Sequence, residues 1–317
     1  MARPVETLAD LPLGGGILDR AADRRTDEGL IPGLLADPAT RVLPVVGERV
    51  RVEEGPGTTA RLAFRPPEAA DAERTAVFLG IDRAGDLPGG GAGTAYVAVL
   101  EDQADDGSLD LRFAGARLHP GEAGLLATAL GVGNWHRSHR FCPRCGSGTV
   151  PVQAGWVRRC PTDGSLHFPR TDPAVIMSVV DADDRLLLAR GRGFRRKGVS
   201  VLAGFVEPGE SLEAAVVREV AEEVGLTVTD VRYLGDQPWP FPSSLMVGFT
   251  ARTIGPTQIT PQDGEIEAAR WYTRAELRAA VADRSVLLSP RLSIARHLIE
   301  RWYGGRIDAP DQPLRPS

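Results

Sequence analysis

Residues 204–226 read GFVEPGESLEAAVVREVAEEVGL. From Ser211 to Val224 the apolar residues Leu212, Ala215, Val216 and Val220 recur at intervals of three and four, the period of a helix with one buried face. Ser211 is suited to the N-cap and Gly225 to the C-terminal stop. On that helix Glu219, Glu222 and Glu223 stand at i, i+3 and i+4, so their carboxylates leave adjoining positions as one acidic patch. Like charges held so close cost stability unless cations screen them, and a tight cluster of carboxylate oxygens suits hard divalent ions such as Mg2+ or Mn2+. A solvated acidic face is the commoner fate of three glutamates, and these three alone do not separate the two readings.

The full pattern does separate them. Gly204, Glu210 and the run Arg218-Glu219-Val220-Ala221-Glu222-Glu223-Val224-Gly225-Leu226 fill every defined position of the Nudix hydrolase signature, and the chain resembles that family, which cleaves nucleoside diphosphates linked to another group. The resemblance implies that Glu219, Glu222 and Glu223 hold metal and activate water, with Glu222 or Glu223 nearest the attacking water. It gives Arg218 the task of orienting the glutamates and Glu210 that of supporting the loop and helix.

The 317 residues suffice for two domains, each with its own core, and 42% hydrophobic with 25% charged residues is the balance of a soluble globular protein. A net charge of -5 argues against a generic nucleic-acid coat and leaves local basic patches open. The first sixteen residues carry acids and prolines without an apolar run of signal-peptide length, and no stretch approaches the roughly eighteen apolar residues of a membrane span. Three cysteines, all within residues 142–160, do not make a secreted disulfide framework, so the expected compartment is a reducing cytoplasm.

Residues 1–134 are expected to form an α+β domain for support or dimerisation. Strand-like pieces at residues 41–46, 76–81 and 94–99 alternate with Gly, Pro and Asp clusters. A helix is expected after Pro120 with Ala123, Leu126, Ala127 and Leu130 on one side. Residues 135–171 form a zinc-ribbon-like segment: Cys142 and Cys145 make one CxxC knuckle, and Cys160 opens a second, CPTD, with Asp163 in the fourth slot. Zinc could be held by the three cysteines with Asp163 or with His167, or the ribbon could keep its shape without metal; Asp163 is preferred because it occupies the expected place. Arg137, Arg140, Arg144, Arg158 and Arg159 make the segment basic, which suits phosphate contacts or simply a solvated surface.

From residue 172 the sequence turns strand-rich. Residues 174–180 and 185–189 around an acidic turn predict a hairpin. Arg190, Arg192, Arg195, Arg196 and Lys197 then precede the signature, where cationic side chains could balance an entering diphosphate or form an ordinary surface loop. Strands are expected at residues 228–234 and 245–251. Between them lies QPWPFPSS, Gln237 to Ser244, whose prolines stiffen the backbone while Trp239 and Phe241 offer flat apolar surfaces for a base or nicotinamide ring.

QPWPFPSS is similar to the family mark of the NADH pyrophosphatases, SQPWPFPxS, with Asp236 standing where that mark has Ser. The ribbon also precedes the catalytic domain in that family, so the resemblance covers roughly residues 135–303. It implies that Gln237, Pro238, Trp239, Pro240, Phe241, Pro242, Ser243 and Ser244 bind substrate, as do Phe168, Phe205 and Ala295. It further implies that the Ala203 carbonyl and Glu265 join the metal site, and that the protein is a homodimer.

The expected architecture is therefore α+β: an N-terminal α+β domain (1–134), the ribbon (135–171), a Nudix α/β/α sandwich with a mixed sheet (172–307), and a disordered tail (308–317). The activity implied is Mg2+- or Mn2+-dependent hydrolysis of NAD(H) to nicotinamide mononucleotide and AMP, with RNA carrying a 5′ NAD cap as a second substrate and structural zinc in the ribbon. The rivals are a Nudix-fold sensor that binds nucleotides without cleaving them and a zinc-ribbon nucleic-acid adaptor.

Overall fold

The computed structural model describes residues 7–9, 11–55, 59–102, 108–192, 197–261 and 264–309. Arg195, Arg196 and residues 310–317 of the expected tail lie outside these; of that tail, Asp308 is exposed and Ala309 buried. The chain groups into two compact units, one made of Pro12–Thr171 with Pro238–Ser243, the other of Met1–Leu11, Asp172–Gln237 and Ser244–Ser317.

In the first unit β1 (Arg41–Val46), β2 (Arg49–Glu54), β3 (Ala60–Leu62), β4 (Thr75–Asp82) and β5 (Thr94–Glu101) form a sheet in the order β3-β2-β1-β5-β4, with β6 (Ser108–Asp110) added to β2. β1 and β5 run parallel. α1 (Leu30–Ala36) and α2 (Leu111–Ala114) are short, and the long helix is α3 (Pro120–Ser138). α3 is buried on nearly every side, Glu122, Asn134 and His136 included, where one apolar face was expected. Its glycines explain the difference: a Cβ on Gly124 would lie 2.5 Å from the Gly15 carbonyl oxygen, so the missing side chain lets the chain near residue 15 close over a second face. The helix also runs through the seam expected at residues 134/135, since nothing before Ser138 breaks it.

The ribbon strands β7 (Val150–Val152), β8 (Val157–Arg159) and β9 (Leu166–His167) form a small antiparallel sheet in the same unit. Arg158 is buried, donating to Thr149 Oγ1 at 2.7 Å and bonding His136 Nδ1 at 2.9 Å. Arg137 is half-buried on α3. The basic cluster thus shrinks to Arg140, Arg144 and Arg159 as exposed cations, because two of the five arginines are used in packing.

The second unit is built from β10 (Asp172–Val180), β11 (Leu186–Gly191), β12 (Gly198–Val199), β13 (Leu202–Phe205), α4 (Leu212–Val224), β14 (Thr227–Trp239), β15 (Ser244–Ile254), β16 (Ile266–Tyr272), α5 (Arg274–Ala282), β17 (Leu287–Leu288) and α6 (Ile294–Tyr303). Its sheet has the order β14-β15-β10-β11-β16, with β13 also on β10. β10 is parallel to β15 and antiparallel to β11 and β13, the mixed sheet expected. Alternation along β10 makes the sandwich: Val175, Met177 and Val179 pack with Ala215, Val216, Val220 and Val224 of α4, while Ile176 and Val180 pack with Leu277 of α5 and Leu298 and Ile299 of α6. Two strands outrun their expected ends: β14 reaches Trp239 and β15 reaches Ile254. α6 begins at Ile294, capped by Ser293, several residues after the expected start near Pro290.

Candidate active site and metal centres

The Ser211 hydroxyl accepts from the Ala214 N–H at 3.2 Å at the start of α4, and Gly225 ends the helix in the left-handed conformation at φ 70°. Full burial of Ala215, Val216 and Val220 fixes the rotation of the helix, and with it where the glutamates point. Arg218 ties them together. Its guanidinium takes both Glu210 oxygens at 2.9 Å, Glu219 Oε1 at 2.8 Å, Glu222 Oε2 at 2.9 Å and the Phe205 carbonyl at 2.8 Å. Glu210 in turn accepts from the Glu207 N–H, so the loop before α4 is braced by the same pair. The planar fork suits this multiple hold, which a lysine could not reproduce.

A cleft of about 750 Å3 in this unit is lined by Ala203, Gly204, Phe205, Glu219, Glu222, Ser244 and Glu265, among others. Glu222 is exposed and Glu223 buried at 6% exposure. The Glu265 carbonyl accepts from the Arg192 N–H at 2.8 Å, which fixes this loop against the end of β11. Burial, followed by the negative charges of Glu222 and Glu265, raises the Glu219 pKa against the pull of Arg218. Glu219, Glu222 and Glu265 line one cleft with the Arg218 guanidinium balancing only part of their charge, and such all-oxygen donors fit a hard divalent cation.

Gly204 is part of this fit. A Cβ there would stand 1.9 Å from the Glu219 carboxyl carbon and 2.0 and 2.2 Å from its oxygens. Because the obstructed group is the end of a flexible side chain, Gly204→Ala is expected to leave the fold intact and push the carboxylate aside. A displacement of about an ångström costs roughly 100-fold in rate. Steady-state kinetics beside a thermal melt checks this, and wild-type turnover in the alanine variant would contradict it.

Of the other residues singled out in the sequence, Phe205 is 60% exposed on the cleft and Ser244 lines it. Gln237 is fully buried, its amide donating to the Leu292 carbonyl and accepting from the Ile294 N–H, both at 2.8 Å, so its side chain anchors the start of α6. The Ala295 methyl is buried in the core with Ile294 and Leu298. Residues 238–243 group with the first unit, where Trp239 and Phe241 meet edge to face at 5.1 Å. Phe168, at the end of the ribbon, is 62% exposed. Arg190 pairs with Glu267 at 3.1 Å, which leaves it less available to a substrate than its sequence position suggests. Asn134 and Arg112 contact the Pro-rich loop, and nothing in their sequence surroundings had marked them.

The ribbon forms a second candidate metal centre. Ligand atoms of Cys142, Cys145, Cys160 and Asp163 all lie within 4.8 Å of one another. The two knuckles are alike: the Gly146 N–H donates to the Cys142 carbonyl at 2.9 Å, the Gly164 N–H to the Cys160 carbonyl at 3.0 Å, and both glycines have positive φ. Asp163 therefore sits where the second knuckle would place a thiolate. Its carboxyl is held well below the usual range, first by the Ser165 hydroxyl, and the Cys142 thiol is lowered to about 6, also chiefly by Ser165. Burial pushes the Cys160 thiol up to about 11, so zinc would take up its site by displacing that proton, and the compact S3O set is one that fits zinc. His167, the other candidate, lies on β9 and bonds Ser165 Oγ at 3.1 Å.

Residues 170–291 match the NUDIX domain and residues 137–168 the NADH pyrophosphatase zinc ribbon domain. A NAD-capped RNA hydrolase NudC of Mycobacterium bovis is 43% identical over 303 residues, covering 90% of this chain and 92% of that protein. The chain belongs to the NADH pyrophosphatase family of Nudix hydrolases. The chain is also similar to the NAD-capped RNA hydrolase NudC of Mycobacterium tuberculosis, 42% identical over 90% of this chain and 92% of that one. It also reaches human NAD-capped RNA hydrolase NUDT12, 41% identical over 57% of this chain and 42% of that protein.

Proposed function

We propose that this protein hydrolyses the diphosphate bridge of NAD(H), giving nicotinamide mononucleotide and AMP, and removes NAD caps from RNA 5′ ends. The observation that carries the reading is the Arg218-braced set of carboxylates on one cleft, joined to a family whose curated relatives are NAD-capped RNA hydrolases. Glu219, Glu222, Glu223, Glu265 and the Ala203 carbonyl would hold Mg2+ or Mn2+. Bound there, the cations neutralise charge developing on the bridge and lower the pKa of water.

The remaining work falls to side chains. The bonds from Arg218 to Glu219 and Glu222 support a role in keeping the two from splaying apart, and Glu222, the exposed one, would take the proton of the attacking water, with Glu223 as the buried alternative. Water adds to one phosphorus as the bridging P–O bond breaks, and the bridging oxygen leaves with the other phosphate. Phe205, exposed on the cleft, would offer a flat apolar wall to a ring of the dinucleotide beside Ser244, while Phe168, Ala295 and residues 237–243 are proposed as substrate contacts on the family resemblance alone.

The proposal extends to zinc held by Cys142, Cys145, Cys160 and Asp163, a three-part organisation of support domain, ribbon and catalytic domain, and a cytoplasmic homodimer. No helix among the described residues is long and apolar enough to cross a membrane.

Assays with NADH and NAD-capped RNA at matched concentration, with Mg2+ or Mn2+, test the central reading. Equimolar nicotinamide mononucleotide and AMP are expected from NADH. Binding of NADH without release of AMP would establish the sensor instead, and RNA binding without cleavage that survives Glu223→Gln would establish the adaptor.

A further inference from the structure

The Pro-rich loop is gripped by one side chain. Asn134, 8% exposed in the last turns of α3, donates from Nδ2 to the Pro240 carbonyl and to the Pro242 carbonyl, each at 2.9 Å. Its Oδ1 accepts from the Arg137 guanidinium. Both amide hydrogens and the amide oxygen are thus used, and the surroundings dictate which way the amide faces, since only the nitrogen can meet two carbonyls. These carbonyls belong to prolines, whose neighbouring backbone has fewer N–H groups with which to hold itself, so an outside donor has more to fix. Arg112 lies over the Phe241 ring at 4.9 Å and is itself held by Asp110 and Glu48.

We propose that Asn134 is a positioning residue for substrate affinity: by bonding the Pro240 and Pro242 carbonyls it holds Trp239 and Phe241 in the arrangement that receives the dinucleotide. The proposal rests on the reading of residues 237–244 as substrate-binding. It gives a function to a residue from the part of the chain that carries no catalytic motif. Asn134 touches no reacting atom in this account, so its loss should weaken binding of NADH and spare the chemical step.

Asn134→Asp is the informative substitution, because it keeps size and the acceptor for Arg137 while replacing both donated bonds with oxygen facing oxygen. With NADH and the full-length protein, KM is expected to rise about tenfold, with kcat within about twofold, for two lost hydrogen bonds to a loop that becomes loose. Phe241→Ala should raise KM as well, and the double variant should be no worse than Phe241→Ala alone, since Asn134 acts through that ring. Asn134→Ala, with melting temperatures of all variants, separates this from plain destabilisation, which would lower the melting temperature without moving KM. An unchanged KM in folded Asn134→Asp or Asn134→Ala, beside a raised KM in Phe241→Ala, overturns the positioning role alone. An unchanged KM in Phe241→Ala, or a wild type that does not cleave NADH, overturns the loop reading beneath it.

Discussion

Replacing Glu222 with glutamine is expected to lower kcat for NADH by on the order of 1000-fold, the scale of losing one charged group that acts on the transition state. The fold should not notice. The Glu222 side chain is 54% exposed and its link to Arg218 is one hydrogen bond at 2.9 Å, which a glutamine carbonyl can still accept. Stability should stay within about 0.5 kcal/mol, because relief of the like charge one helical turn from Glu219 is offset by loss of the exposed ion pair with Arg218. Activity and stability therefore move independently, which separates this variant from a misfolded one. Calorimetry with Mg2+ or Mn2+ should also show weaker cation binding. Wild-type turnover in folded Glu222→Gln would remove the carboxylate cluster from the mechanism and return it to the status of a solvated helix face.

How much of this was legible in the sequence depends on how local the cause is. α4 could be read almost to the residue, since its period, its Ser211 cap and its Gly225 stop all act within the segment itself. The sandwich could not be read from periodicity: residues 174–180 are nearly all apolar, and only the structure shows Val175, Met177 and Val179 facing α4 while Ile176 and Val180 face α5 and α6. The reason for Gly204 was hidden in the same way, because the atom its Cβ would strike belongs to Glu219, fifteen residues on. Counting arginines in the ribbon overstated its free charge, since a count does not distinguish buried Arg158 from exposed Arg159. Asn134 was invisible for a related reason. Its partners lie 106 and 108 residues away, and one asparagine in a glycine-rich helix has no periodic or spacing signal. Gln237 is the instructive intermediate: the motif marks it, but its buried amide serves Leu292 and Ile294.

Cys160→Ser is expected to empty the ribbon of zinc and unfold it locally. The purified wild type should carry about one zinc per chain, and the variant less than about a tenth of that, because a structural site depends on its full ligand set and zinc binding is itself folding free energy. Cys160 is fully buried beside Cys145, with sulfurs 3.4 Å apart, and its N–H donates to the Ser165 carbonyl, so the knuckle has little room to recruit a substitute ligand. The melting temperature should fall by on the order of 10 °C if several kcal/mol are lost from a unit of this size. Substitutions at the fourth position give the sharper result. Asp163→Ala should lose zinc to chelators at least tenfold faster, whereas Asp163→Cys should hold it more tightly, as a thiolate replaces a carboxylate in a slot the Cys160–Gly164 turn has already shaped. His167→Ala should keep its zinc, since that ring bonds Ser165 on β9 and stands outside the four-ligand cluster. Zinc analysis of these three proteins decides the ligand independently of any activity: loss in His167→Ala with retention in Asp163→Ala would reverse the assignment, and a wild type without zinc would leave the ribbon held by packing alone.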